Sequence, residues 1–517
     1  MKLVVIGSGF GGLSAAIRLR QQGHDVTIVD KLDKPGGRAY VFEQDGFTFD
    51  AGPTIITAPW LIHDLFEMCG KVTDDYVKIV PVTPFYNIRF EDGSVFHYTG
   101  DRSQVLEEVR RFNPADVAGY ERFYRDSEDI FQTGFGLIDK PFHQVGSMLK
   151  VLPELVRLRS DKSVAKFVSE YVQDERLRQV FSFHPLLVGG NPFQTTSIYT
   201  LIHRLEQRWG VWFAMGGTGA LVKGFAKLFT DIGGTIRLSS EVKTLVMDPA
   251  TRKATGVELA SGEVIHADAV VCNGDVAQSY VSLVPKAYRR KWTDAKVAKQ
   301  RYSMSLFVMY FGTDKQYTDI AHHEILMGPR YKGLLDDIFE NKTLSDDFSL
   351  YLHRPTATDP SLAPPGHDCW YVLSPVPHLG GDTDWAAKQK PYRDAIVQYL
   401  EQRYMPGLSK HIVTERIVDP RYFRDTLNSF LGSAFSVEPR LSQSAWMRPH
   451  NRSEDVPNLF FCGAGTHPGA GLPGVISSGK IVADLIGPAA GVAFKPSRSV
   501  MPPETATTTG RRVKARA

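Results

Sequence analysis

Short apolar runs separated by glycine-rich turns dominate the beginning of the chain. The run from Lys2 to Ile6 is short and nearly continuous, which predicts a buried β-strand. A helical pattern follows from Leu13 to Leu19, and Gly23 is placed to end that helix. A second strand is predicted from Asp25 to Val29. The order strand, turn, helix, strand is typical of a parallel α/β unit.

The turn between the first strand and the helix has the sequence Gly7-Ser8-Gly9-Phe10-Gly11-Gly12. In such a GxGxxG turn, the first glycine permits the tight bend and the second lets the backbone approach a pyrophosphate. The third lets the helix and the strand pack closely. The helix N-terminus offers free N–H groups to phosphate oxygens. Asp30, which ends the second strand, is placed to accept hydrogen bonds from ribose hydroxyls. The segment therefore predicts a dinucleotide site.

The rest of the chain is predicted to leave this unit and return to it twice. Residues 79–98 have the pattern of strands, and residues 102–208 have a mainly helical pattern. Near Met215 a glycine-rich turn precedes an amphipathic helix, and a buried strand ends at Asn273. The expected fold class is α/β, with a discontinuous Rossmann-like domain and an α+β substrate domain that carries a helical insertion. The predicted cofactor domain comprises residues 1–75, 215–290 and 453–487, the substrate domain comprises 76–214 and 291–452, and residues 488–517 form a disordered basic tail.

Charge and cysteine content narrow the classes of partner. The 517 residues include 60 basic and 57 acidic side chains, a formal charge of +3, and nucleic-acid binding usually needs a larger basic excess. The four cysteines form no CxxC pair, so no zinc site or disulfide framework is predicted. The pair His322-His323 lacks a nearby acid at metal-ligand spacing, and no metal is expected. No segment reaches the roughly 18 apolar residues that a membrane-spanning helix needs.

A second glycine-dense segment lies near the C-terminus. An apolar strand is predicted from Leu459 to Cys462, and the loop Gly463-Ala-Gly-Thr-His-Pro-Gly-Ala-Gly471 follows it. A helix is predicted to start near Val475, and its N-terminus can stabilise negative charge on a bound ligand. This loop, together with Gly36-Gly37-Arg38 and the segment Gly46 to Pro53, closely resembles the bacterial and fungal phytoene desaturases. These enzymes form the carotenoid desaturase branch of the flavin amine oxidase superfamily.

The resemblance covers most of the chain and implies that the cofactor is FAD. In the superfamily, the paired glycines pass close to the cofactor and the arginine supplies charge near the pyrophosphate. A valine on a returning strand lies against the adenine, and Val242 is the matching position, although an ordinary strand valine is nearly as good an explanation. The predicted cofactor-binding residues are Gly7, Ser8, Gly9, Phe10, Gly11, Gly12, Asp30, Lys31, Gly36, Gly37, Arg38, Gly52, Pro53, Val242, Asn273, Gly463, Gly465, Gly471 and Val475.

The resemblance also implies a reaction, the successive introduction of double bonds into 15-cis-phytoene to give lycopene or neurosporene. Allylic C–H groups are too weakly acidic for a side chain to deprotonate first, so hydride transfer to flavin followed by proton loss is expected. No motif identifies a catalytic base; His467 and Glu438 are weak candidates. The expected electron acceptor is a quinone or dioxygen. The number of steps stays open, because it depends on the depth of the substrate tunnel.

A water-insoluble polyene requires contact with a lipid surface. Residues 141–163 combine apolar side chains with Lys150, Arg157, Arg159 and Lys162, a pattern that suits the membrane interface or an ordinary packed surface helix. We expect a peripheral protein at the cytoplasmic face of the cell membrane. A diapophytoene desaturase, a carotenoid ketolase and a polyene isomerase would share every cofactor motif. A non-enzymatic lipid-binding escort protein of the same fold is a more distant alternative.

Overall fold

The computed structural model describes residues 1–493. The predicted basic tail lies almost entirely outside the described residues. The strands are β1 (Lys2–Ile6), β2 (Asp25–Val29), β3 (Val41–Gln44), β4 (Phe47–Asp50), β5 (Ile79–Val82), β6 (Tyr86–Arg89), β7 (Val95–Tyr98), β8 (Val211–Ala214), β9 (Thr235–Arg237), β10 (Val242–Met247), β11 (Ala254–Leu259), β12 (Val264–His266), β13 (Ala269–Cys272), β14 (Ser305–Thr313), β15 (His323–Leu326), β16 (Leu350–His353), β17 (Asp368–Val376), β18 (Ile412–Val418) and β19 (Leu459–Phe461). The α-helices are α1 (Phe10–Gln21), α2 (Trp60–Glu67), α3 (Arg102–Phe112), α4 (Val117–Gly136), α5 (Val145–Arg157), α6 (Val164–Ser169), α7 (Glu175–Ser182), α8 (Leu201–Trp209), α9 (Gly217–Asp231), α10 (Val276–Ser282), α11 (Asp294–Lys299), α12 (Tyr331–Asp336), α13 (Trp385–Arg403), α14 (Leu408–His411), α15 (Pro420–Asp425) and α16 (Leu472–Ile486).

A five-stranded parallel sheet with the order β19-β13-β1-β2-β9 forms the first layer. Its strands come from three separated segments of the chain, because β9 and β13 follow a long excursion and β19 follows another. The central strand β1 is apolar and buried on both faces: Leu3 and Val5 belong to a core shared with α1 and α9, and Val4 to a core shared with the three-stranded sheet β10-β11-β12. The sheet has the discontinuous Rossmann-like architecture that the sequence predicted.

The helices of this layer pack unusually closely. A Cβ at Gly479 of α16 would lie 2.7 Å from the backbone nitrogen of Ala15 in α1. The Ser14 hydroxyl donates to the carbonyl of Ile476 at 2.8 Å, which ties the same two helices together. Contact at this distance requires glycine, because any side chain would separate the backbones. The N-terminal motif and the C-terminal loop are therefore held side by side.

Both helices begin earlier than the apolar periodicity indicated. α1 starts at Phe10 rather than Leu13, because the last residues of the glycine turn already form its first helical turn. α16 starts at Leu472 rather than Val475, with Pro473 in its first turn. Proline fits that position since its missing N–H would have no partner within the helix.

The second layer is a seven-stranded sheet with the order β18-β14-β17-β16-β15-β6-β7. Its neighbours are antiparallel except for β15 and β6, which run parallel. Helices α3, α4, α6 and α7 share a hydrophobic core with this sheet, and they belong to the helical insertion that the pattern of residues 102–208 predicted. Within residues 1–493, no helix is both long enough and apolar enough to cross a membrane.

Candidate active site

The glycine turn after β1 forms the floor of a cleft. Gly7 has φ of +96°, which favours glycine, and the turn brings Gly9 and Gly11 against the side chain of Asn273 at the end of β13. A Cβ on Gly11 would lie 2.5 Å from Asn273 Oδ1 and 3.0 Å from the Cα of Gly463. The Asn273 amide is therefore the point where the N-terminal turn and the C-terminal loop meet.

The end of β2 closes one side of this cleft. Asp30 lines it, and its Oδ2 accepts hydrogen bonds from the Ser8 N–H at 2.7 Å and the Ser8 hydroxyl at 2.6 Å. Its Oδ1 accepts from the Leu32 N–H at 2.9 Å. Asp30 thus braces the turn as well as facing the cleft. Lys31 beside it lies 3.7 Å from Glu241, and both residues line the same edge.

The segment after β2 brings a cation to the cleft. Gly36 has φ of +129°, and Arg38, two residues further on, donates from Nη2 to the hydroxyl of Ser429 at 2.7 Å. The Arg38 side chain is 30% exposed, and its guanidinium lies 3.9 Å from the carboxylate of Asp275. A Cβ on Gly52 would lie 2.0 Å from the Arg38 carbonyl, so the two segments touch through backbone. The guanidinium is held at the cleft with part of its surface free.

The C-terminal loop delivers a second helix N-terminus to the same cleft. Gly471 precedes α16 with φ of +93°, and no described side chain caps the helix there. Arg448, which is buried, holds the loop from behind: it donates to the carbonyls of Ala464 at 2.7 Å and Thr466 at 3.1 Å. Sequence reasoning missed Arg448, because no motif surrounds it and its partners are backbone groups.

The residues present fit a dinucleotide. The first turn of α1 is likewise uncapped by any side chain of residues 1–493, so two helix N-termini present free N–H groups to one cleft. The first suits a pyrophosphate and the second suits developing negative charge on a flavin. Arg38 adds positive charge, and the glycines leave room for a flat ligand close to the backbone.

Most of the predicted cofactor-binding residues line one cavity. Ser8, Gly12 and Gly465 do not. Ser8 supports Asp30, a Cβ on Gly12 would lie 2.1 Å from the Gly7 carbonyl, and one on Gly465 would lie 2.8 Å from Ser436 Oγ. These three residues shape the loops from behind rather than forming the wall. The predicted residues that line the cavity are Gly7, Gly9, Phe10, Gly11, Asp30, Lys31, Gly36, Gly37, Arg38, Gly52, Pro53, Val242, Asn273, Gly463, Gly471 and Val475.

The cleft continues into an apolar chamber, and the whole cavity encloses about 590 Å³. The chamber lies between the helical insertion and the seven-stranded sheet. Its wall is made almost entirely of aliphatic and aromatic side chains. These include Met148, Val151, Leu155, Leu186, Leu187, Leu201, Met304, Leu306, Ile325, Met327, Leu373 and Phe435. Such a surface suits a long hydrocarbon and repels water.

The two weak catalytic candidates differ in position. His467 lines the cavity; its Nε2 donates to the Leu137 carbonyl at 3.2 Å, and its Nδ1 has no partner among the described residues. Burial lowers the pKa of His467 to about 4. Glu438 is not part of the cavity wall, which corrects that prediction: it is buried and pairs with Arg440 at 3.0 Å.

Glu206 is an ionisable residue of the cavity that sequence reasoning missed. It is fully buried on α8 and belongs to the cavity wall beside Leu205 and Ile202. Its Oε1 accepts from the Tyr86 hydroxyl at 2.7 Å, and its Oε2 lies 3.2 Å from His184 Nε2. An ordinary helical pattern surrounds Glu206 in the sequence, and its partners come from β6 and from a short 3-10 helix that begins at His184. No local signal could have identified it.

Comparison with known proteins agrees with this geometry. Residues 10–487 match the family described as flavin containing amine oxidoreductase. The chain is 52% identical over 490 residues to a phytoene desaturase (lycopene-forming) of Pseudescherichia vulneris, covering 94% of this chain and 99% of the relative. It is 47% identical to a phytoene desaturase (neurosporene-forming) of Cereibacter sphaeroides, covering 94% of each. Among solved structures, an oxidoreductase from Methanosarcina mazei shares the fold with a TM-score of 0.64 at 16% identity, covering 94% of this chain and 100% of that one.

Proposed function

Because the chain belongs to the flavin-containing amine oxidoreductase family, and within it to the phytoene desaturases, we propose that it converts 15-cis-phytoene to lycopene or neurosporene by successive desaturation. The protein is an FAD-dependent oxidoreductase. Bound FAD supplies a two-electron acceptor for the hydride that leaves a saturated C–H group. The remaining steps depend on what this chain's own residues do around the polyene.

One observation carries the proposal: the dinucleotide cleft and the apolar chamber are a single cavity. Gly52, Pro53 and Thr54 line it at the cleft, and Leu306, Ile325 and Leu373 line it further on. A polyene in the chamber would therefore reach the cleft without crossing a protein wall. The apolar lining orients the chain and excludes the water that would otherwise trap a cation left after hydride loss.

Two side chains of the cavity wall, those of His467 and Glu206, are the proposed acceptors of the proton that the polyene must then lose. The Nδ1 atom of His467 is unprotonated, because Nε2 carries the proton donated to Leu137. The carboxylate of Glu206 is oriented by Tyr86 and His184. A cation next to a C–H group makes that group strongly acidic, so even a weakly basic partner suffices.

We further propose that α5 brings the enzyme to a membrane surface. Leu149, Leu152 and Val156 are 63%, 45% and 70% exposed, whereas Met148 and Leu155 of the same helix line the chamber. The helix thus presents apolar side chains outward and inward at once. An exposed apolar patch of this kind, in a family whose substrate is a lipid, is best explained by contact with acyl chains. The proposed location is the cytoplasmic face of the cell membrane.

The closest competing functions use the same cofactor on another polyene. A diapophytoene desaturase, a ketolase or an isomerase would need the same cleft and a similar apolar chamber. The two relatives above share about half of their residues with this chain over nearly their whole length, and both are phytoene desaturases. Phytoene is therefore the proposed substrate, with a membrane quinone or dioxygen as the proposed acceptor.

The test uses the FAD-loaded protein with phytoene in liposomes, supplied with a quinone and with oxygen in separate reactions. We expect absorption bands that move stepwise into the visible, with the final pigment identified by chromatography. Colourless phytoene under both conditions would refute the substrate, and C30 polyenes would be tried next.

The membrane proposal is tested separately with the double variant Leu149→Glu/Val156→Glu. It should lose liposome flotation and activity on phytoene in liposomes but keep activity on phytoene dispersed in detergent. The matched control is Val72→Glu, since Val72 is 60% exposed but lies outside α5. Equal flotation of both variants would contradict the role of α5.

A further inference from the structure

Three buried histidines that do not themselves line the cavity meet in the substrate domain. His323 on β15 and His353 on β16 are directly opposite each other in the antiparallel register, and His322 precedes β15. One ring nitrogen of each lies within 4.8 Å of those of the other two. Their side chains are 5%, 0% and 1% exposed for His322, His323 and His353. Three imidazoles this close and this deeply buried require a physical explanation.

Most of their nitrogen atoms lack a hydrogen-bond partner. The Nε2 atoms of His322 and His323, and both ring nitrogens of His353, have none within the part of the chain that is described. Buried polar atoms are nearly always paired, because an unpaired one loses its hydration without compensation. Four unpaired nitrogens in one cluster indicate that a ligand for nitrogen belongs between the rings.

The Nδ1 atoms of His322 and His323 have hydrogen-bond partners, and these bonds orient both rings so that each Nε2 is available to a metal ion. His322 Nδ1 lies 2.5 Å from the hydroxyl oxygen of Thr358, and His323 Nδ1 lies 2.8 Å from the hydroxyl oxygen of Tyr351. When Nδ1 donates to these oxygens, Nε2 carries the lone pair. Metal-binding histidines are typically held in this way, with the second nitrogen bound to an outer partner that fixes the ring.

Charge and chemistry select the class of ion. The hydrogen bonds of His322 Nδ1 to Thr358 and of His323 Nδ1 to Tyr351 leave the Nε2 atoms of both rings free to bind a metal. Arg354 is the nearby cation, and the carboxylate of Asp368 pairs with it at 3.3 Å. Neutral imidazoles with no carboxylate among the ligands suit zinc and the other late first-row divalent metals rather than calcium or magnesium.

We propose that His322, His323 and His353 bind one divalent transition-metal ion, with zinc as the first candidate. A Zn–N bond of about 2.0–2.1 Å would bring the nitrogens to about 3.4 Å from one another in a tetrahedral site. The three side chains would have to rotate to bring their nitrogens to this distance from within 4.8 Å of one another. Three protein ligands leave a fourth position for water.

The site would also act on the cavity through Tyr351. The Tyr351 hydroxyl bonds His323 on one side and the Thr54 hydroxyl on the other, at 2.6 Å. Both Tyr351 and Thr54 line the cavity next to Gly52 and Pro53. An ion on His323 therefore fixes the hydrogen bond that positions this part of the wall. The metal is a positioning element and not a participant in the oxidation.

The experiment measures metal in the intact holoprotein. The full chain is produced with zinc in the medium, passed over a chelating resin, and analysed by plasma mass spectrometry together with its flavin content. We expect about one zinc per chain in the wild type and less than about a tenth in His353→Gln. Production with cobalt instead of zinc should give the intense visible bands of a tetrahedral cobalt site in the wild type alone.

The matched control is His378→Gln. His378 is also buried, but its Nδ1 accepts a hydrogen bond from the Gly380 N–H at 3.0 Å and it lies outside the cluster. It should keep the full metal content. Equal metal content in the wild type and in His353→Gln, including none in both, would overturn the proposal. A wild type that carries less than a tenth of a zinc ion per chain would by itself overturn the proposal, even if His353→Gln fails to fold.

Discussion

Gly11 offers the sharpest test of the cofactor site, because it lies where three segments of the chain converge. A Cβ added there would meet Asn273 Oδ1 at 2.5 Å and the Cα and N of Gly463 at 3.0 Å. Gly11 lies in the first turn of α1, so alanine suits its backbone conformation. The substitution Gly11→Ala therefore tests space at the cleft and not helix formation.

The magnitude follows from the overlap. A normal contact of about 3.4 Å or more requires Asn273 to move by nearly 1 Å, and Gly463 is backbone and cannot rotate away. Added methyl groups in well-packed sites cost about 1–3 kcal/mol. If the whole penalty reduces the free energy of FAD binding, the dissociation constant for FAD rises by about 5-fold to 150-fold. The apoprotein should lose at most the same free energy of unfolding.

The assay is titration of apoprotein with FAD, followed by quenching of flavin fluorescence. The matched control is Gly136→Ala in α4, where no atom of residues 1–493 lies within 4 Å of the added methyl. That control should bind FAD like the wild type. A Gly11→Ala variant that binds FAD within two-fold of the wild type would refute the placement of this glycine at the cofactor.

Three further predictions concern the residues around the cavity. Arg448→Met should lose bound FAD and about 3 kcal/mol of unfolding free energy, because buried loop carbonyls lose a charged donor; Arg122→Met, on an exposed face, should lose neither. Glu206→Gln should keep FAD affinity and the rate of anaerobic flavin reduction by phytoene but slow formation of the desaturated product at least ten-fold in the same single turnover, and product formed at the wild-type rate would remove Glu206 from the proton step. His467→Gln should flatten the pH dependence of apoprotein stability. The wild-type histidine is neutral when folded, so the stability that it contributes above pH 6.5 is lost as pH falls toward 4, by up to about 3 kcal/mol; an unchanged slope in urea unfolding would contradict this.

The local parts of the cofactor site could be predicted because each depends on a few consecutive residues. Gly7 to Gly12 specify a turn and a helix N-terminus whatever the rest of the chain does. Gly471 and Pro473 likewise specify where α16 begins. The error of three residues in each helix start arose because apolar periodicity is recorded by side chains, whereas the first turn is defined by backbone.

Residues that act through distant partners could not be predicted in the same way. Glu438 lies close in sequence to an aromatic run, which makes it a candidate, but in the structure its carboxylate pairs with Arg440 at 3.0 Å. Glu206 lies in an unremarkable helical pattern, and only the fold brings Tyr86 and His184 to it. Whether a carboxylate faces a cavity or an arginine depends on tertiary contacts that no local motif encodes.

The histidine cluster shows the same limit more clearly. His322-His323 alone has no metal-ligand spacing, and the third ligand is supplied by the cross-strand register that pairs His323 with His353. In an antiparallel sheet, residues opposite each other share a face, so two histidines thirty residues apart become neighbours.

The amphipathic helix α5 was ambiguous for a related reason. Its sequence shows apolar residues, but only the fold shows that Leu155 faces the chamber while Val156 faces outward. A helix with apolar side chains on both sides can join a lipid surface to an apolar chamber, and this two-sided exposure connects the proposed membrane contact to the proposed substrate.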